Sequence, residues 1–140
     1  MLAGALHLLT GCAPGILWRN YVYEPVHTDA VRDQKPVLVY FRHWASVECT
    51  KFEEQVLKDP RVREATVGFY CVPLQIDWDH LLAERWGIPD PPGVVLLTPD
   101  ERVLARLSGE ISIDQLLGAM RSAAAGTTQS APASRPAKAK

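Results

Sequence analysis

The sequence predicts an α/β domain built on a central mixed β-sheet flanked by helices. Three stretches predict it. "KPVLVYF" (35–41) is a near-continuous apolar run that leads into a helix-like segment, "FYCVPLQID" (69–77) is a second strand-like run, and "GVVLLTPDERVLARL" (93–107) reads as a hairpin. A short run apolar on both faces suits a strand buried in the middle of a sheet with helices on either side.

The elements follow in order along the chain. "ILWRNYVYEPV" (16–26) begins with aromatic and β-branched residues, but Pro25 ends any strand there, and residues 13–27 read as an N-terminal extension. "TDAVRDQ" (28–34) predicts a short helix capped by Thr28. The strand after it opens on Pro36, a position where proline is tolerated. The next helix starts near Ser46, whose hydroxyl can accept from the free N–H groups of a first turn. Cys49, Phe52 and Val56 then share one helix face, while Lys51, Glu53, Glu54 and Lys58 fall mostly elsewhere. Asp59 and Pro60 restart a helix over 59–65. "DHLLAERWG" (79–87) predicts a short helix with Asp79 at its start and Gly87 just past its end. Thr98, Pro99, Asp100 and Glu101 form the hairpin turn. The last helix is signalled by a capping box, Ser112 with Gln115, by a staple of Ile111 and Leu116, and by the apolar stripe Ile113, Leu116, Leu117 and Met120. From residue 123 onward, "AAAGTTQSAPASRPAKAK" has no large apolar residue and predicts a disordered tail over 123–140. The resulting order, β-α-β-α-β-β-α, is a parallel crossover followed by an antiparallel hairpin and a helix.

The chain of 140 residues is long enough for one domain with a proper core. Its net charge of −1, from 15 basic and 16 acidic residues spread along the chain, gives no argument for a nucleic-acid partner or an acidic substrate, and no nucleic-acid partner is assigned. The three cysteines, Cys12, Cys49 and Cys71, are too few for a disulfide scaffold, and no two stand at C-x-x-C spacing. No cofactor is implied.

Residues 1–11 are small or apolar apart from His7 and Thr10 and carry no acidic residue. They are too few to span a bilayer but suit the apolar region of an export signal. Leu9-Thr10-Gly11-Cys12 resembles the bacterial lipobox. That resemblance implies a signal over residues 1–12, cleavage before Cys12 and lipid on its sulfur, which would anchor the chain at a membrane of the bacterial cell envelope, facing the periplasm.

"KPVLVYF", "KFEEQVLKDPRV" and "ERWGIPDPPGVVLLTPDERVLARLSG" together resemble the thioredoxin-like family. They are similar to the periplasmic thioredoxin-like domain of bacterial transmembrane thiol reductases and to small thioredoxin-family lipoproteins. The resemblance covers about residues 28–122 and implies a thioredoxin-like fold. Its functional positions transfer one at a time. Cys49 falls on the second, buried cysteine of the family's Cys-x-x-Cys motif. Ser46 falls on the first, the nucleophile, and Ala45 on the tryptophan before it, with Trp44 one residue away. Tyr40 falls on a buried acid that moves protons to and from the second cysteine. Pro92 falls on the cis-proline that faces the motif and positions substrate backbone. The frame of a thiol-redox site is therefore expected without its first sulfur.

Thiol–disulfide exchange needs an exposed thiolate at the helix start, and serine cannot supply one. A Cys49–Cys71 disulfide is excluded: in this fold the two lie on the order of 20 Å apart along the strands, whereas a disulfide needs Cα atoms within about 7 Å. His43, Cys49 and His80 match no standard metal spacing, so no metal site is assigned. Three readings follow. The first is a membrane-tethered domain without dithiol activity that binds a protein or peptide partner in a groove formed by Trp44, Ala45, Ser46 and Pro92, with Trp86 either beside that groove or in the core. The second is a thiol–disulfide oxidoreductase or single-cysteine redox protein acting through Cys49 on a Cys-bearing partner. The third is metal carriage by Cys49 with His43.

Overall fold

The structure, a computed structural model, describes residues 15–129. The proposed signal, Cys12 and the end of the predicted tail lie outside the described residues.

The sheet forms around β1 (Val37–Arg42), which is buried along almost its whole length. β1 pairs in parallel with β2 (Tyr70–Gln75) and antiparallel with β3 (Gly93–Leu97). β3 in turn pairs antiparallel with β4 (Val103–Ser108), giving the spatial order β2-β1-β3-β4. This is the mixed sheet the sequence predicts. Alternation along β1 divides the core between the sheet's two faces. Leu38 and Tyr40 join one cluster with Phe52, Val56, Leu57, Leu116 and Met120. Val37, Val39 and Phe41 join the other with Tyr23, Val26, Ala83 and Trp86.

The helices bear out most of the expected caps. α2 (Val47–Phe52) is capped by Ser46, whose Oγ accepts from the Cys49 N–H, and it continues into a π turn over Glu53–Leu57. Cys49, Phe52 and Val56 all face the core, as their spacing predicts, and Leu57 joins them. Asp59 caps α3 (Pro60–Ala65), with Pro60 in the first turn where its missing N–H costs no helical bond. α4 spans His80–Arg85, and Gly87 follows it in the left-handed region. In α5 (Ile113–Gln129) the capping box is reciprocal: the Gln115 N–H donates to Ser112 Oγ at 3.1 Å, and the Ser112 N–H donates to Gln115 Oε1 at 2.8 Å.

Two boundaries differ from the sequence expectation. α1 spans Tyr23–Asp33 and does not wait for Thr28. Pro25 stands in its first turn, where the backbone N–H has no helical acceptor anyway, so proline starts this helix and does not merely end a strand. Tyr23, Val26 and Ala30 form its buried face. Upstream, Ile16 is buried in the core, Trp18 forms a parallel bridge to Cys71, and the Arg19 N–H donates to the Cys71 carbonyl at 2.9 Å. Residues 15–27 thus belong to the folded unit. At the other end, α5 runs seven residues past the expected start of the tail, to Gln129. Alanine carries the highest helix propensity, and Ala123 is buried against Leu116 and Met120, so this run prolongs the helix.

Because Ile16, Tyr23 and Val26 are buried, a chain begun at Thr28 should lose several kcal/mol: each such side chain is worth about 1.5–3 kcal/mol, against a typical total of about 5–15 kcal/mol. Urea unfolding followed by circular dichroism should show a cooperative transition for a chain begun at Gly15 and none for one begun at Thr28. Equal midpoints would show that the segment is dispensable.

Candidate functional site

The site sits where β1 ends and α2 begins. Between them, residues 43–46 make a tight loop that hydrogen bonds hold at every step. The Ser46 N–H donates to the His43 carbonyl at 3.0 Å. The Trp44 N–H donates to Gln75 Oε1 at 3.1 Å, and the Ala45 N–H donates to His43 Nδ1 at 3.1 Å. With Nδ1 accepting, the ring proton of His43 sits on Nε2, which lies 3.0 Å from Asp77 Oδ2. Both ring nitrogens are therefore occupied.

Ser46 holds the first motif position as a capping residue. Its hydroxyl accepts from the Cys49 N–H at 3.1 Å and donates to Glu48 Oε2 at 3.3 Å. Cys49, one turn in, is fully buried at 0% exposure, and its Sγ accepts from the His43 N–H at 3.4 Å. The motif thus presents a hydroxyl to the surface and keeps its one sulfur beneath. Cys71 is also buried and unpaired, as expected from its place beside Leu38 near the start of the sheet. Burial pushes its thiol up to about 12.

Beneath the loop lies a polar group that sequence reasoning missed. The Tyr40 hydroxyl donates to Glu53 Oε2 at 2.9 Å, and Arg42 Nε lies 3.2 Å from the same oxygen. Burial first, then the neighbouring Cys49 and Glu53, raises the Tyr40 phenol well above its ordinary range and keeps it a donor. The strand acid of the related pattern is absent, and a carboxylate from the helix stands against its replacement. The signal was available: Glu53 follows Cys49 by four residues and so shares its helix face.

The predicted groove residues are only partly brought together. Trp44 and Ala45 are exposed, Ser46 is half-buried, and Pro92 is buried. The Pro91–Pro92 bond is cis, and because Phe41 pairs with Gly93, Pro92 comes next in line at the end of β1 where the loop starts. Gly93 is required there, since a Cβ would lie 2.4 Å from Ile88 Cγ2. Neither Pro91 nor Pro92 has an N–H, and the Pro92 carbonyl accepts from the Gly109 N–H at 3.1 Å. An extended chain docked here would find an acceptor at Pro91 and no donor. Trp86 does not join the surface: it is buried among Tyr23 and Phe41. His80 is exposed, and among the described residues no group of three or more His, Cys, Asp or Glu is placed to hold a metal ion. A cavity of about 490 Å³ adjoins the site, lined by Tyr40, Arg42, Glu53 and Gln75, and a second, of about 610 Å³, lies by Arg19 and Arg63; neither is lined by Trp44, Ala45, Ser46 or Pro92.

A parallel–antiparallel sheet with a cysteine-bearing helix after its central strand and a cis-proline beside it defines a thioredoxin-like protein. A family model described as a thioredoxin-like domain matches residues 26–124, and the chain belongs to that family. Solved structures agree on the fold. A thioredoxin from Thermus thermophilus superposes with a TM-score of 0.71 at 22% identity, over 88% of this chain and 100% of that one. The disulphide isomerase from Xylella fastidiosa Temecula1 gives 0.58 at 16% identity, over 78% and 97%. The reduced C-terminal domain of DsbD from Neisseria meningitidis gives 0.57 at 20% identity, over 69% and 90%. No curated protein matches the sequence. The chain is thus a thioredoxin-like domain related to thiol–disulfide oxidoreductases.

Two outcomes are expected. In native buffer at neutral pH a thiol-alkylating reagent should label neither Cys49 nor Cys71, and both should label in denaturant. Mass spectrometry showing rapid native labelling at Cys49 would contradict its sealed position. The second concerns Cys71, whose thiol ionises near 9.0 when unperturbed but at about 12 in the fold. A raised thiol pKa means that its contribution to stability is complete below about pH 9 and is lost as pH rises towards 12. Relative to Cys71→Ala, the native chain should lose stability by about 1.4 kcal/mol per pH unit in that window. Parallel stability–pH curves from urea melts would refute this.

Proposed function

We propose that this is a membrane-tethered thioredoxin-like protein of the bacterial cell envelope that lacks dithiol oxidoreductase activity. It binds a protein or peptide partner at the loop surface around Trp44, Ala45 and Ser46, beside Pro92. The observation that carries the reading is the inverted arrangement at the motif. The surface position holds a serine engaged in capping, and the only sulfur lies at 0% exposure behind it. Disulfide exchange requires the reverse order.

Trp44 supports the binding half of the proposal. It is 73% exposed, yet its backbone is tied to Gln75 and its ring stacks on His43 with centroids 5.8 Å apart. A large aromatic side chain presented on a rigid loop loses little freedom on binding and suits an interface anchor. The tether rests on Leu9-Thr10-Gly11-Cys12 alone. Among the described residues no helix is long and apolar enough to cross a membrane.

An insulin-reduction assay tests the catalytic half. The native chain should show no dithiol-dependent turnover, and Ser46→Cys, which places a thiol at a helix start, should gain it. Comparable activity in both proteins would overturn the proposal. For the binding half, crosslinking in envelope extracts should capture a partner that Trp44→Ala loses by about tenfold or more, the range of an interface hot spot. Unchanged capture would place the interface elsewhere.

A further inference from the structure

The cavity of about 490 Å³ meets the Trp44 loop at Gln75, which lines the cavity while its Oε1 accepts from the Trp44 N–H at 3.1 Å. Trp18, Tyr21 and Trp78 supply aromatic walls. Four charged residues also line it, and three of them are engaged. Arg42 Nε and Nη2 lie 3.2 and 3.3 Å from the two carboxylate oxygens of Glu53. Glu53 also accepts from the Tyr40 hydroxyl. Lys58 pairs with Glu54 at 2.8 Å. Asp79 is the exception. Its carbonyl opens α4 by accepting from the Leu82 and Ala83 N–H groups, but its carboxylate makes no capping bond. Among the described residues that carboxylate has no other donor or ion-pair partner. Burial holds its carboxyl above the usual carboxylate range, and no neighbouring cation offsets the effect.

The unpaired charge and the rings select the same occupant. A half-buried carboxylate attracts a cation, and so do the electron-rich faces of Trp and Tyr, most strongly once the cation is desolvated. An anion is disfavoured by both. The positive charges of Arg42 and Lys58 are offset at contact distance by Glu53 and Glu54. One unpaired carboxylate holds one charge, so the fit is a monocation on an apolar stem and not a diamine. Two of the rings, Tyr21 at 71% and Trp78 at 80% exposure, are accessible to an incoming chain. We propose that this cavity receives a lysine or arginine side chain of a partner polypeptide, with the cationic head at Asp79 and the stem against Trp18, Tyr21 and Trp78. That the cation belongs to a polypeptide rests on the reading of the Trp44 loop as a partner surface, with which the cavity is continuous through Gln75.

The test titrates the full chain with the peptide acetyl-Ala-Lys-Ala-amide, with its arginine counterpart, and with the same peptide acetylated on the lysine, which removes the charge. Binding is read by nitrogen-edited NMR. The two cationic peptides should shift the Trp78 and Asp79 amides and the Trp18 and Trp78 indole N–H signals, and the acetylated one should not. Asp79→Asn, which keeps a good cap residue, should weaken binding by about tenfold, the worth of a hydrogen bond to a charged group. Trp78→Ala, at an exposed position outside the core, should weaken it by about threefold. Equal binding of charged and acetylated peptides, no binding, or shifts confined to other residues would overturn the proposal. So would insensitivity to both substitutions, or tighter binding of free putrescine, which would assign the cavity to soluble amines. The loop reading is decided separately, by capture with Trp44→Ala. Peptide binding at the cavity with unchanged capture would sink the loop reading and keep the cation site. Loss of capture with no peptide bound would do the opposite.

Discussion

The double burial of β1 is the constraint on which the rest depends. Val37 to Phe41 are all within 1% exposure or below, so the strand must be covered on both faces and paired on both edges. That forces α1 and α4 onto one face and α2, α3 and α5 onto the other. It also sets the site. β1 can only end by turning up into α2, and the parallel β2 beside it and antiparallel β3 beyond it bring Gln75 and Pro92 to the same end of the sheet. The loop geometry is thus a consequence of strand register, fixed by side chains that take no part in any chemistry.

At that end, the same positions that serve catalysis in a dithiol protein serve structure here. Ser46 satisfies the first turn of α2, and a serine cap is typically worth about 1 kcal/mol. Cys49 behaves as a small buried apolar residue whose sulfur takes one backbone N–H. Below it, Tyr40, Glu53 and Arg42 share a compact set of hydrogen bonds with each group satisfied, which is the condition under which a half-buried charge pair is tolerated. The free energy of the region goes into rigidity. What the loop offers outward is a fixed backbone and one large aromatic ring.

The N-terminal segment ties these parts together. Residues 16–19 cover part of the open edge of β2 and then turn into α1, with Asn20 Oδ1 accepting from the N–H groups of Tyr21 and Val22. Beyond that cover, Pro73 turns its nitrogen to the sheet edge, where a missing N–H breaks no ladder bond and discourages pairing with another chain. The two cavities flank the same segment, one containing Ile16 and the other Leu17, with Trp18 between them.

The sequence by itself determined the order of strands and helices along the chain and most of the caps, and its resemblance to the family marked the missing nucleophile. β1, β2 and the hairpin were legible because a short apolar run bounded by turn residues is a local property. Ser46, Asp59 and the Ser112–Gln115 box were legible because a cap reads only its own first turn. Only the tertiary structure decided what depends on distant partners. α1 begins at Tyr23 because Tyr23 and Val26 find Trp86 and Phe41, which no local signal announces. α5 passes residue 123 because Ala123 meets a core, although its composition resembles a tail. Trp86 lies inside and Trp44 outside, though both stand near turns, because one faces α1 and the other faces solvent. The cavity beside Arg63 joins residues 17–19 to α3 and the start of β2, segments more than forty positions apart in the chain. That cavity exists only once the sheet has drawn them together.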